Sequence, residues 1–218
     1  MKALKVKDRV KRLILVASVL ASAILTVSCV PINELGLGFA TENNMEVPSD
    51  ISQVIDSDPA RVDNSRLAIT PTDELKITGM QPEIDIEQYR LNIGGLVDKP
   101  LSLTYGEILA YPSVTEVVLL ICPGFFADNA QWTGVPVTHL LRDADIKSGA
   151  SAVVFTEVGG KYSKEVPLEE ITGNESIFLS HTVNGVALPE KHGFPLRLVA
   201  EGRYGYDWVK WVENIQVI

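Results

Sequence analysis

Cys122 closes the apolar run VVLLIC (117–122) and is followed at once by Pro123 and Gly124. A thiol at the end of a buried strand, beside a turn, has four chemical options: inert core filling, half of a disulfide, a nucleophile, or a soft metal ligand. The second candidate stretch is NGVALPEKHGFPLRLVAEGRYGYDWVKW (184–211), where His192, Arg197, Arg203 and Lys210 crowd together in an otherwise acidic chain. Cations beside glycines, which let a backbone approach closely, suit an anionic ligand. Arg offers phosphate a planar fork, Lys a point charge, and His a donor whose charge an anion favours. Composition alone leaves the plainer reading open: a solvated strand face whose cations pair with surface carboxylates.

Familiar signatures are missing. The sequence has no GxxxxGK[ST] loop, no strand-linked GxGxxG, no GxSxG, no HExxH and no CxxC, so nucleotide, serine-hydrolase and zinc chemistry have no motif to rest on. His139 falls on a short helical stretch and reads as packing or surface, and His181 has no chemical neighbour in sequence.

The other cysteine, Cys29, belongs to the leader. A basic stretch, MKALKVKDRVKR, precedes an apolar run at 13–27 and then Ser28-Cys29. This is a signal-peptide plan, and the run is shorter than the about 20 apolar residues of a membrane span. LTVSC resembles a lipoprotein cleavage site with Cys29 as the lipidated residue, although Thr26 stands where Leu is usual; an uncleaved N-terminal anchor is the alternative. Either reading puts the body outside the cytoplasm on the cell membrane. A lipidated Cys29 also leaves Cys122 without an intrachain disulfide partner.

Residues 1–29 hold six of the nineteen Lys and Arg but one of the twenty-eight Asp and Glu, which leaves 13 basic and 27 acidic groups, a net of −14, for the rest. Such a body is repelled by phosphate backbones, so nucleic acid is excluded as a partner. Residues 30–66, polar and acidic without periodicity, read as a flexible tether, which makes 67–218 the folded domain.

The elements that must position the candidates follow from pattern. Strands are expected at 89–97, 114–121, 151–158, 161–166, 176–183, 194–200 and 208–218, with a Gly-Gly bulge or close approach inside the first. TYGE (104–107) is a capping box opening a short helix, and PVTHLLRDA (136–144) is a second helix with Pro in its first turn. Strands outnumber helices, so the fold class is α+β: mixed, strand-rich sheets with short helices.

Cys122 ahead of WTGVPVTHLL (132–141), then NGVALPEKHGFPLRLV (184–199), then YGYDWVKWVENIQV (204–217), in that order, resemble the molybdopterin-binding domain of the sulfite oxidase and protein-methionine-sulfoxide reductase family. The resemblance covers roughly 85–218 and implies the sulfite-oxidase-type fold, with molybdopterin carrying molybdenum as cofactor. It implies that Cys122 is the thiolate on the metal, and that His192 and Arg197 hold the pterin and its phosphate. Trp208, Val209 and Lys210 would close over the phosphate through main chain and ammonium, while Trp132 would position the loop after Cys122.

The family's polar N-terminal block has no counterpart in DELKITGMQPEID (73–85). The expected activity is oxygen-atom or electron transfer to or from a small substrate. An unidentified electron carrier, such as a membrane haem protein, would be the partner, and the chain is expected to be monomeric. Two other classes compete: a non-catalytic lipoprotein that binds a small anion or protein partner on the same scaffold, and a thiol-based redox protein using Cys122 alone.

Overall fold

The computed structural model describes residues 45–218; the leader, Cys29 and residues 30–44 lie outside the described residues. Two five-stranded sheets enclose the main core. The first joins β2 (Leu101–Leu103), β1 (Leu91–Gly95), β10 (Val212–Val217), β5 (Ala152–Glu157) and β6 (Ser163–Pro167), in that spatial order. The second runs β3 (Val114–Cys122), β4 (Phe126–Pro136), β7 (Ile177–Val183) and β8 (Val186–Ala187), with β9 (Arg197–Ala200) also pairing with β7. Three short helices connect them: α1 (Tyr105–Leu109), α2 (Val137–Ala144) and α3 (Leu168–Ile171). The mixed, strand-rich α+β class is as expected.

Local chemistry explains most elements. Thr104 and Glu107 form the reciprocal capping box that starts α1. Helix α2 buries Val137, Leu140, Leu141 and Ala144 on one side. Gly95 takes a positive φ where a Cβ would stand 2.1 Å from the carbonyl of Val217, so β1 meets β10 by close approach. The strand expected over 208–218 begins only at Val212, because the backbone before it turns, with Trp211 at φ 52°.

Strand β4 has no forerunner in the sequence reading, since Asp128, Asn129 and Gln131 within FADNAQWTGVP suggest a loop. It pairs residue by residue with β3, from Val114 opposite Gly134 to Cys122 opposite Phe126. Strands β2 and β8 and helix α3 were also not foreseen; each is four residues or fewer.

The tether expected over 30–66 needs correcting from residue 45 onward. Asp50, Asp58 and Asp63 each cap a short 3-10 turn by accepting the amides of Ser52, Ala60 and Ser65. In and just after these turns Val54, Val62 and Leu67 pack on Leu119, Ile121 and Ala127 as a second hydrophobic cluster. The acidic residues that looked like solvated spacer are capping groups. This cluster also explains why Val118 to Ile121 are all buried: Val118 and Leu120 face the main core, while Leu119 and Ile121 face the segment 45–67. Burying one such side chain stabilises by about 1.5–3 kcal/mol. Among the described residues no helix is long and apolar enough to cross a membrane.

Candidate active site

Cys122 is the last residue of β3, and the chain reverses directly after it. Phe125 donates its amide to the carbonyl of Cys122 at 3.0 Å, and Gly124 adopts φ 75°. Pairing points Cys122 to the same face as Leu120 and Val118, toward the main core, and leaves the thiol half-buried. Gly205 covers it: a Cβ there would stand 2.7 Å from Sγ, so only glycine lets the backbone pass this close. The Gly205–Asp207 turn is fixed by Asp207, which pairs with Lys164 at 3.5 Å and Arg203 at 3.3 Å, and by the Tyr162 hydroxyl donating to the carbonyl of Tyr206.

The thiol borders a cleft of about 1150 Å³. Its walls are the segment 76–82, the turn at 122–126, the loop 157–162 and the stretch 205–211. Trp208 and Lys210 share this lining with Cys122, whereas His192 and Arg197 are buried side chains outside it. Arg197 lies between two indoles, 5.1 Å from the ring of Trp132 and 5.7 Å from that of Trp208. Its Nη1 donates to the carbonyl of His192 at 3.2 Å. Arg197 Nε and His192 Nε2 are buried without a hydrogen-bond partner among the described residues.

Lys210 donates to the carbonyl of Thr78 and, at 3.4 Å, to that of Lys191, and its ammonium lies 4.3 Å from the ring of Trp211. Trp208 spends its indole N–H on the carbonyls of Ala200 and Arg203. Val209 has its main chain engaged within the protein. Its amide donates to Asp207, its carbonyl accepts from Leu198, and the residue is fully buried. Trp132 is core, its indole donating to Val118 one strand away. His139 faces Glu175 at 3.3 Å and His181 contacts Ser113 and Thr182; neither lines the cleft.

Burial pushes the Cys122 thiol up, while Arg197 and Lys210 pull it down and Asp128 adds to the rise. Burial, assisted by Arg197, lowers Lys210 to about 8 and His192 to about 4, so the imidazole is neutral near pH 7. Arg197 falls to about 10 through burial and stays charged. Asp128, buried on the same sheet face as Cys122, is raised by burial against the amide of Lys76, which it accepts at 2.8 Å.

Several of these residues escaped the sequence reading. Lys76, Thr78 and Gln81 come from the stretch with no recognisable block, Lys161 and Tyr162 from an ordinary strand loop, and Gly205 from a motif read for its neighbours. Only Gly205 carried a signal, as an isolated glycine amid aromatics in YGYD.

Among the described residues there is no group of three or more His, Cys, Asp or Glu able to hold a metal ion. The cleft thus offers one thiol, three lysines and unpartnered donors nearby, and a metal seated there must bring most of its own ligands. This chemistry suits an anionic ligand beside a soft-metal donor, and the residues present fit an anionic organic cofactor that brings a metal with its own ligands.

The chain belongs to the family described as the oxidoreductase molybdopterin binding domain, which it matches over residues 78–218. It is 31% identical over 170 residues to a nitrate reductase [NADH] of Volvox carteri, covering 64% of this chain and 20% of that one. It is 28% identical over 187 residues to a sulfite oxidase of Arabidopsis thaliana, covering 69% and 48%. Among solved structures, the sulfane dehydrogenase SoxCD of Paracoccus pantotrophus superposes with a TM-score of 0.59 at 29% identity, over 63% of this chain and 40% of that one. The chain thus spans about a fifth of that nitrate reductase and about half of that sulfite oxidase. The sulfite-oxidase-type fold and the molybdopterin cofactor follow from this membership.

Proposed function

We propose that the domain is a membrane-tethered, extracytoplasmic molybdopterin-dependent oxidoreductase that moves an oxygen atom or electrons to or from a small substrate, with Cys122 as the protein's ligand to molybdenum. The observation that carries this reading is the half-buried Cys122 thiol in the wall of a cleft of about 1150 Å³, with Arg197 and Lys210 both favouring its thiolate. When bound, the cofactor supplies the redox-active metal and a place for the transferred oxygen.

The chain's own residues do the rest. Cys122 Sγ gives up its proton to become a soft ligand, a step that Arg197 and Lys210 favour against the cost of burial. Lys210, which lines the cleft, would hold the anionic end of the group, and an anion there would raise its affinity for the proton. Arg197, held between Trp132 and Trp208, supplies a fixed positive charge behind the site. Neutral His192 keeps a ring nitrogen available for a hydrogen bond. Gly205 keeps the cover over Sγ thin.

The membrane anchor is the leader 1–29, through a lipidated Cys29 or an uncleaved span, and the partner is an electron carrier such as a membrane haem protein. Elemental analysis and pterin extraction on protein purified from its native host test the reading. About one molybdenum per chain, lost in Cys122→Ser, is the expected result. Folded, exported protein free of both metal and pterin overturns it and favours the non-catalytic lipoprotein. Intact mass separates a lipidated start at Cys29 from an uncleaved Met1.

A further inference from the structure

Contacts from residues 45–67 converge on Cys122 from the sheet face opposite its side chain. Val54, Val62 and Leu67 seal Leu119, Ile121 and Ala127, the reverse side of the β3–β4 hairpin whose tip follows Cys122. Asp56 Oδ1 accepts the amide of Gly124 at 3.0 Å, two residues past the thiol. Tyr204, the neighbour of the glycine that covers Sγ, packs against the same cluster. Ala60 also abuts this covering segment, since a Cβ at Gly202 would stand 3.6 Å from its Cβ. All of these upstream residues precede the family-matched region, which begins at residue 78.

We propose that residues 45–67 are a positioning strap for Cys122, fixing the 123–125 turn through Asp56 and the Gly205 cover through Tyr204. A hairpin tip with a glycine at positive φ has few contacts of its own to set its place, so neighbours must supply them. The strap does so on both sides of the thiol, and it threads the outer face of the sheet without entering the cleft. Its meaning for metal binding rests on Cys122 being the ligand; its effect on the thiol does not.

The test uses the full chain carrying Cys29→Ser, free of cofactor, so that Cys122 is the only thiol. Two quantities are read: the rate of reaction with a disulfide reagent such as DTNB, and hydrogen exchange at the amide of Gly124. Asp56→Ala is expected to raise both about threefold or more, the scale of one lost hydrogen bond. Asp56→Asn keeps the accepting oxygen and stays near wild type. Val54→Ala, which hollows the cluster behind Ile121, has the larger effect on the thiol.

Ile108→Val thins the main core beneath α1, away from the cleft, and is expected to lower stability with the thiol rate unchanged. The proposal is overturned if Asp56→Ala leaves both rates at wild-type values, if Asp56→Asn behaves like Asp56→Ala, or if Ile108→Val accelerates the thiol equally. In protein from the native host, Asp56→Ala should lower molybdenum per folded chain. Wild type without molybdenum would remove the metal-ligand reading and leave the thiol and exchange results to decide the strap.

Discussion

The two sheets bury different chemistry. Strands β1, β5, β6 and β10 of the first sheet send Leu91, Ile93, Val153, Phe155, Val166, Val212 and Ile215 into the core, and none of its strands buries a polar or charged side chain. The second sheet buries Asp128, Asn129, Ser180 and Arg197 on its strands, with His192 in the turn before β9. Some of these are satisfied within the chain: Asn129 bonds Leu67 and Asn64, and Ser180 bonds Thr133 and Thr182. Arg197 Nε and His192 Nε2 find no partner among the described residues. Leaving a buried donor unpaired costs roughly 1–3 kcal/mol, and a fold tolerates this where a ligand supplies the missing partner. The first sheet is a scaffold, and the second accepts a stability cost to build a site.

Four substitutions or conditions sharpen or break that division. Cys122→Ser has the largest effect: molybdenum content falls to background, with the midpoint of urea unfolding of the cofactor-free protein little changed. Phe155→Ala in the first sheet does the reverse, losing about 3–5 kcal/mol in the same unfolding measurement while keeping wild-type molybdenum per folded chain. Equal losses of metal and stability in both variants would dissolve the distinction.

Acid comes next. His192 is held to about 4 when folded, so the unfolded chain takes up the proton first, and stability falls as pH drops from about 6.5 toward 4. The loss is on the order of 3 kcal/mol at its fullest, and His192→Gln should flatten that part of the profile in pH-dependent urea melts. The smallest stability change belongs to Gly205→Ala: thermal unfolding shifts by a few degrees at most, but a Cβ 2.7 Å from Sγ must displace the thiol or its cover. Molybdenum content per folded chain should drop several-fold.

Legibility followed local pattern in both sheets, since β3, β7 and β9 of the second were expected as well as β1, β5, β6 and β10 of the first, while β2 was missed. The scaffold was readable because apolar and β-branched runs mark strands, and the Thr104–Glu107 box and α2 were readable from local signals. Strand β4 was not, because its buried Asp128 and Asn129 look like loop chemistry until their partners, the Lys76 amide and Asn64, are placed. Segment 45–66 was misread for a related reason: its capping aspartates look like spacer, and its apolar residues are too sparse to show a period. Cys122, Trp208 and Lys210 were anticipated on one site and line one cleft, while His192, Arg197 and Val209, anticipated on the same site, are buried outside its lining. The wall at 76–82 carried no sequence signal, since its fit to the cleft depends on Lys210 reaching the Thr78 carbonyl across a long span of chain.

X-ray absorption at the molybdenum edge tests the central claim, that Cys122 is the protein's ligand to the metal, most directly. It is measured on native-host protein beside the same cofactor free of protein. The protein-bound metal should show one more sulfur neighbour than the free cofactor. Identical sulfur shells in the two samples would contradict it.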